Sequence, residues 1–570
     1  MPFYPVLSSV ASSVAGVGEA GPGVAGDGAL MVALRASDLV SPGKRELAAC
    51  DRSALAVGGT EKIRSGDLVV FCKIVLVAEA QVRRDGKIQA KGCPCDHVTL
   101  GPLEERLEAA AGPGVISRIA DGARLSGPVK GERKRLLSKE FVIRAVVLMT
   151  LMPDADAREV VLALAGDLAM VPWAREWRPA SPRALGQWQR ALGPEPLEEL
   201  QRIVLGASWE EHRERDWRAV VIGGLRAGAI DGTLIRVPDT EENRAAFGSA
   251  GTSDDSGPYP QLRALMMTDA STRALFGVPH GPSGGDKAAA EQKLLDKGIE
   301  DWPHLFTKDR IWILDRNFTG AARIARLIAR THVLIRLKSD IRLDRVSEFY
   351  PDGSYLAQVT GDGATVTVRV IEYYAEVEGQ DVPEMFCLVT DLHDWRQYPA
   401  ADLAALYRWR WDGSETALRE AKSALDGAGP STGPMLGSTT PGLVRQELAA
   451  WTAAVELTRG LARDAALAAA PSRRGRRAGQ RVHPREISFT AARRAALAAV
   501  RRGAAGYAAV TSAIAASRVT VDRNRHRDRK TKARAGFARA GFARAGRHMP
   551  TRTANAVLTV CNTTACNTTA

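Results

Sequence analysis

Three acidic residues occur in sequence settings that suit a metal-binding carboxylate. The first, Asp231, lies in the strand-like segment AIDGTLIRV (229–237), among residues that are expected to be buried. Burial of a carboxylate costs several kcal/mol unless it is paired or bound to a metal ion. Gly232 follows directly, so the chain can pass close to a ligand. Asp231 is therefore a candidate metal ligand, although an ordinary turn-forming aspartate at a strand end fits the same residues.

The second acid, Asp315, closes the apolar strand-like segment RIWILD (310–315). In open α/β sheets, active sites gather at the carboxyl ends of the strands, which is where this residue would lie. An aspartate after an apolar strand is common, so this position by itself also fits a structural role.

The third acid, Glu415, lies in the segment YRWRWDGSETALREAK (407–422). If this segment is helical, Lys422 lies two turns further along the same face, and Tyr407 and Trp411 lie near that face. A carboxylate, a lysine, aromatic rings and arginines on one stripe suit contacts with phosphate. A solvated amphipathic helix with i,i+4 pairs is the alternative. Aromatic residues among the arginines disfavour it, because solvent-facing helices seldom carry them.

Taken together, the three carboxylates match a site for two Mg²⁺ ions, with Mn²⁺ as the alternative metal. Mg²⁺ prefers hard oxygen ligands and completes its coordination with water and substrate phosphate. Two ions about 3.5–4 Å apart would activate an attacking hydroxyl group and stabilise the leaving oxygen. The predicted chemistry is therefore metal-dependent phosphoryl transfer.

The segments that carry the acids alternate between strand and helix patterns. Strand-like runs occupy 219–225, 229–237, 310–315 and 332–338, and helical runs occupy 286–299 and 319–331. This alternation predicts an α/β sheet domain. Residues 354–391 read as a further run of strands, which predicts a β insertion at about 339–395. The pattern is helical again from residue 398, and residues 443–470 predict an amphipathic helix.

The rest of the chain differs in character from this region, which we define as a catalytic domain at 216–470. Residues 97–215 are mostly helical, with tryptophans and arginines interleaved between 173 and 190. A helical DNA-binding module and a plain helical domain fit that pattern equally. Residues 1–96 read as a partly disordered extension without an assignable role. Residues 471–570 are basic with short repeats, and predict a largely disordered tail.

The net charge of +13 and the pI of about 9.5 favour a polyanionic partner, nucleic acid before an acidic membrane. A soluble protein with a basic tail is the alternative. No apolar run approaches the roughly 20 residues that span a bilayer. The seven cysteines are odd in number and scattered, which favours a reducing compartment. We expect a cytoplasmic protein that associates with the nucleoid if its partner is DNA.

Three segments, taken in order, resemble the insertion sequence four family of bacterial DDE transposases. They are 229–247, 310–318 and 407–422. The resemblance is strong over about 220–440, and the helical region 97–215 is also similar to the N-terminal part of that family. It implies a ribonuclease H-like catalytic core with a β-strand insertion, plus an N-terminal helical DNA-binding domain. The long gap between the second and third acids is what such an insertion would produce.

The resemblance also implies roles for the residues around Glu415. The family has a Tyr, an Arg, a Glu and a Lys at set spacings, which Tyr407, Arg410, Glu415 and Lys422 match by type. The tyrosine, the arginine and the lysine would contact phosphates near the cut. Trp411 matches an aromatic residue that stacks on a flipped base at the transposon end, which would offset part of the cost of extruding that base.

One spacing departs from the family pattern. The family usually has three residues between the Arg and the Glu, whereas four lie between Arg410 and Glu415. An extra residue turns a helix by about 100°. Either Gly413 absorbs it in a local bulge, or the helix begins after Gly413. Because Glu415 keeps the usual spacing to Lys422, we take it as the third acid in preference to Glu420.

The resemblance implies a transposase that binds the terminal inverted repeats of its insertion sequence, cleaves at the ends and transfers the 3′-OH to target DNA. Its partners would be double-stranded DNA, as transposon ends and as target, bound by a homodimer without a membrane. Two alternatives stay open: a nuclease of the same fold that joins nothing, and an inactive DNA-binding relic. The segment GPSGGDK (281–287) lacks the spacing of a phosphate-binding loop, which disfavours a nucleotide-binding enzyme.

Overall fold

The computed structural model describes most of the chain from residue 98 onward. The described ranges are 98–126, 137–165, 179–214, 221–248, 259–283, 287–376, 384–425, 435–471, 479–502, 506–519 and 557–562. All of them belong to one compact unit, Gly92–Ala570, and the second unit, Met1–Lys91, lies outside the described residues. The predicted extension 1–96 therefore lies outside them too.

The described strands form one mixed sheet. They are β1 Val221–Ile222, β2 Leu225–Arg236, β3 Gln261–Asp269, β4 Leu275–Gly277, β5 His280–Pro282, β6 Arg310–Leu314, β7 His332–Arg336, β8 Asp344–Arg345, β9 Tyr355–Gly361, β10 Ala364–Glu376, β11 Glu384–Thr390 and β12 Val557–Val560. Their main order is β4-β3-β2-β6-β7-β11-β10-β9-β8. Strand β3 pairs antiparallel with both β4 and β2, whereas β6 and β7 run parallel to β2.

Fourteen α-helices are described. They are α1 Pro102–Ala111, α2 Val115–Gly122, α3 Lys139–Leu151, α4 Ala157–Ala165, α5 Pro182–Leu192, α6 Glu195–Glu214, α7 Glu241–Phe247, α8 Lys287–Asp301, α9 Ala321–Ile328, α10 Ala400–Tyr407, α11 Thr416–Leu425, α12 Pro441–Ala468, α13 Phe489–Arg502 and α14 Tyr507–Ala515. None is long and apolar enough to cross a membrane.

The strand predictions for the acid-bearing segments are confirmed. Every residue of β6 is buried, as expected for a parallel strand that is covered on both faces. Strands β3 to β5 had no counterpart in the prediction. The segment of β3, QLRALMMTD, is buried at eight of nine positions, including Arg263 and Asp269, so it lacks the alternation of apolar and polar residues that marks a half-exposed strand.

The predicted β run joins the central sheet directly. Strand β11 pairs antiparallel with β7, with Leu388 opposite Arg336, and β10, β9 and β8 follow outward. The insertion therefore widens the core sheet beyond β7.

The helical part is built around α12. This helix carries the amphipathic pattern predicted for 443–470, but it is buried along most of its length. Helices α1 to α6 share one apolar core with it, through residues such as Phe141 and Leu148 on one side and Ala450 and Ala453 on the other. The helical region 97–215 and the end of the predicted catalytic domain are therefore packed together.

Part of the expected disordered tail is folded. Helices α13 and α14 pack on α12, and Ala492, Ala496 and Ile514 are completely buried. In α13, three of the five buried residues are alanines, in a segment that also carries four arginines. The basic composition of α13 therefore conceals a helical face that packs closely.

Candidate active site

Asp231 and Asp315 come from adjacent strands. Asp231 lies in β2, which pairs in parallel with β6, with Ala229 opposite Ile313. Continued by two residues along each of the two segments, this register leads to Asp231 and Asp315. Burial raises the pKa of Asp231, Arg410 opposes that shift, and the charge of Asp315 raises the pKa further. The two carboxylates therefore interact at the end of β6.

Each aspartate is oriented by a backbone N–H group close to it in sequence. The N–H of Gly232 donates to Oδ1 of Asp231 at 2.9 Å. The N–H of Asn317 donates to Oδ1 of Asp315 at 2.8 Å, where Asp315 caps a short 3₁₀ helix. These bonds orient Asp231 within β2 and Asp315 at the end of β6.

A helix with one irregular turn faces Asp231. Between α10 and α11, Trp411–Glu415 form a π turn, which contains one residue more than an α turn. Of the two arrangements that the spacing allowed, the structure has the bulge around Gly413. The extra residue is absorbed there without ending the helix.

Gly413 is required by close packing. A Cβ at this position would lie 2.8 Å from the Cα of Ala270, which follows β3. The Gly413 carbonyl accepts a hydrogen bond from Thr268 Oγ1 at 3.0 Å. The π turn therefore rests directly on the backbone at the end of β3.

The same turn brings two polar groups to Asp231. Ser414 Oγ lies 3.2 Å from Asp231 Oδ2 and 2.6 Å from the carbonyl oxygen of Arg410, so its single proton is shared between the two, and Arg410 Nη1 contacts Asp231 Oδ2 at 3.4 Å. Glu415 is the last residue of the turn and is partly buried. Sequence reasoning missed Ser414; a small polar residue between Gly413 and the predicted acid was the available signal.

The donor set fits a divalent metal ion in part. Asp231 and Asp315 supply hard carboxylate oxygens, and the raised pKa of Asp231 indicates a carboxylate that a nearby cation would stabilise. Arg410 supplies positive charge there. Among the described residues, no group of three or more His, Cys, Asp or Glu side chains is close enough to hold a metal ion. The two aspartates are thus brought together, whereas the role of Glu415, at the end of the π turn, stays a prediction.

Glu420, the substitute third acid, has another role. Its Oε1 accepts a hydrogen bond from Arg273 Nη1 at 2.8 Å, and its Oε2 accepts one from Arg459 of α12. Both oxygens are engaged in ion pairs between the site helix and its neighbours. Glu420 therefore has a structural role in linking the site helix to its neighbours.

The remaining predicted DNA contacts lie along the same helix. Tyr407 is buried, which raises its pKa to about 12, so its hydroxyl stays protonated. The Arg410 guanidinium lies 4.8 Å from the ring of Trp411 and 5.9 Å from that of Tyr407. Lys422 is partly buried on α11. Their roles toward DNA stay predictions.

The β insertion anchors the start of this helix. Asp352 accepts the backbone N–H of Ala400 at 2.9 Å and pairs with the buried Arg369 of β10. Arg369 also donates to the carbonyl of Tyr398 at 2.7 Å. The insertion therefore anchors the start of α10, which leads into the segment with Arg410, and the sequence spacing did not predict this anchor.

Two adjacent aspartates on this strand order, faced by a helix with a third acid, define the class of DDE transposases with a ribonuclease H-like core. A family model described as "Transposase DDE domain" matches residues 222–427, and one described as "Insertion element 4 transposase N-terminal" matches residues 119–202. The chain belongs to the insertion element 4 family of DDE transposases. The predicted fold class and family are confirmed.

Two relatives and one solved structure illustrate the likeness. The chain is 25% identical over 333 residues to the transposase InsG for insertion sequence element IS4 of Escherichia coli K12, covering 55% of this chain and 68% of that one. It is 30% identical over 197 residues to the putative transposase InsZ of the same organism, covering 34% and 61%. A piggyBac transposase synaptic complex with hairpin DNA shares 12% identity, with a TM-score of 0.35, over 71% of this chain and 81% of that one.

Proposed function

We propose that this protein binds the terminal inverted repeats of its insertion sequence, cleaves the DNA at its ends and transfers the 3′-OH to target DNA. The observation that carries this proposal is that Asp231, within β2, and Asp315, at the end of β6, are neighbours in the register of these parallel strands, with the π turn that ends at Glu415 in contact with Asp231. Asp231 and Asp315 thereby supply two carboxylates, and we propose Glu415, on the facing helix, as the third.

Asp231, Asp315 and Glu415 would hold two Mg²⁺ ions, with Mn²⁺ as a substitute. Bound metal would supply Lewis-acid activation of water and of the phosphate oxygens. The chain itself contributes orientation, through the N–H groups of Gly232 and Asn317 and the hydroxyl group of Ser414. Phosphoryl transfer depends mainly on such positioning and on charge neutralisation.

DNA would lie along the helix that carries Arg410, Trp411 and Lys422. Arg410 would exchange its contact with Asp231 for a phosphate near the cut, and Lys422 would contact phosphate two turns after Glu415. Trp411 would stack on a flipped base. Cleavage of two ends favours a homodimer on DNA, and the net charge of +13 suits a nucleoid-associated protein.

Cleavage and joining on a DNA that carries the element's own ends, with Mg²⁺, test the proposal. We expect wild type to produce both products, and Asp231→Asn, Asp315→Asn and Glu415→Gln to produce neither. Glu105→Gln, an exposed carboxylate on α1, is the control and should behave as wild type. Cleavage without joining would identify a nuclease, whereas end binding without cleavage would identify an inactive relic.

A further inference from the structure

A fourth carboxylate lies beside the two aspartates and is absent from the family resemblance. Glu291, on α8, is 3% exposed. Its Oε1 accepts a hydrogen bond from Nη1 of Arg263, on β3, at 2.8 Å. Its Oε2 accepts one from Nδ2 of Asn317, just after β6, at 3.1 Å. Both oxygens are therefore bonded to side chains from two other segments.

Glu291 also packs against the backbone beside Asp231. A Cβ on Gly232 would lie 2.6 Å from Glu291 Oε1 and 2.9 Å from its Cδ. Only glycine lets the carboxylate approach the chain this closely. Glu291 thus contacts Gly232 on β2 and Asn317 after β6.

These two contacted residues are the ones whose N–H groups orient the aspartates. Gly232 donates to Asp231, and Asn317 donates to Asp315. The next residue of α8, Gln292, adds a hydrogen bond from Nε2 to the carbonyl of Asn317 at 2.8 Å. One turn of α8 therefore touches both backbone segments that set the two carboxylates.

We propose that Glu291 is a positioning residue that fixes the relative placement of Asp231 and Asp315. Arg263 neutralises its charge, so Glu291 holds the two segments without adding net negative charge to the site. This inference rests on the proposed metal-dependent reaction at the same aspartates. Loss of an outer partner of metal-binding carboxylates typically weakens metal affinity or activity about 10- to 100-fold.

Calorimetric titration of the full chain with Mn²⁺, without DNA, tests the inference. Glu291→Gln keeps the side-chain shape but loses one acceptor, and we expect Mn²⁺ binding about 10- to 100-fold weaker than in wild type. The matched control is Glu104→Gln, which removes the buried Glu104–Arg144 pair of the helical region. The control should lose stability and keep the wild-type Mn²⁺ affinity.

A second variant covers the case in which Glu291→Gln does not fold. Asn317→Ala removes the partly buried side chain that bonds Oε2 but keeps the N–H that orients Asp315, and the same weakening of Mn²⁺ binding is expected. Equal affinity in wild type and in a folded variant of either kind would overturn the inference. A wild type that binds no Mn²⁺ would also overturn it.

End cleavage, assayed separately, distinguishes the two proposals. Wild-type cleavage with unchanged Mn²⁺ affinity in Glu291→Gln leaves the proposed function standing and removes the role of Glu291. Weaker Mn²⁺ binding in the variant, with no cleavage by wild type, supports the role of Glu291 and removes the proposed function.

Discussion

Asp231 and Asp315 share the register of the β2–β6 ladder. Paired residues of this ladder, such as Ala229 and Ile313, are 84 residues apart, and the two aspartates have the same separation. The spacing of the first two acids therefore reflects the parallel pairing of their strands. A backbone N–H group then donates a hydrogen bond to each carboxylate and orients it.

Both aspartates are held in place by their strands. A longer side chain at either position should therefore slow end cleavage, even though it keeps the negative charge. We expect Asp315→Glu to slow end cleavage about 100-fold, the cost of a displacement of roughly 1 Å in a positioned site. Single-turnover cleavage at saturating Mg²⁺ measures the effect. A rate within threefold of wild type would show that the register does not control the reaction.

Gly413→Ala should disturb the π turn. The added methyl group would lie 2.8 Å from the Ala270 backbone, so the turn must move away from β3. We expect a loss of about 1–3 kcal/mol of unfolding free energy in urea, together with loss of cleavage. Gly186→Ala, in α5 with no atom within 4 Å of the new methyl group, is the matched control and should be neutral or stabilising. Full activity of Gly413→Ala would contradict the prediction.

Glu415→Gln and Glu420→Gln should have opposite profiles. Glu415→Gln is expected to abolish cleavage even where it remains folded, because it removes a proposed metal ligand. Glu420→Gln disrupts the pairs with Arg273 and Arg459, and should cost up to about 3 kcal/mol, the low end for a broken buried pair because Glu420 is 22% exposed. At a temperature at which it is folded, Glu420→Gln should still cleave DNA. Cleavage that is lost in Glu420→Gln and kept in Glu415→Gln would reverse the assignment.

Trp411→Ala should slow cleavage by an amount that depends on the DNA. Stacking of a base on an aromatic ring is worth about 1–3 kcal/mol, or roughly 5- to 150-fold in rate. A mismatch at the flipped base lowers the cost of extrusion, so the defect should shrink on mismatched ends. Trp411→Phe keeps a stacking ring and serves as the control. An equal defect on matched and mismatched ends would argue against base stacking.

The buried His212 should make stability depend on pH. Burial and the charge of Arg463 lower its pKa to about 4, below the ordinary value of about 6.5. Between these values the unfolded chain binds a proton that the folded chain does not, so stability falls as the pH decreases from about 6.5 to about 4. We expect this residue to account for about 2 kcal/mol between pH 7 and pH 5.

Urea unfolding at the two pH values measures the His212 contribution. His212→Gln should lack that part of the pH dependence, while the contributions of other groups stay common to both proteins. Identical pH dependence in wild type and variant would contradict the assignment.

Much of the fold was accessible from local pattern. The apolar runs that carry Asp231 and Asp315 predicted β2 and β6, because buried parallel strands need continuous apolar residues. Helix α13 was not predicted, since three of its five buried residues are small alanines within an arginine-rich segment.

The candidate site was also predictable only in part. Residue type and spacing were enough to select Asp231, Asp315 and Glu415 as candidates. They left two possible arrangements, a bulge at Gly413 or a helix that begins after it, for the extra residue. The choice of a bulge depends on contact with Ala270, which is distant in sequence.

The sequence by itself determined the order of the acids, the strands that carry two of them and the family. Those features depend on neighbours along the chain and on periodicity. Only the tertiary structure decided that Glu420 is held in ion pairs and that Glu291 spans both aspartate segments. The physical reason is that an acid takes its role from charges and donors brought to it by other segments, and local spacing does not record those partners.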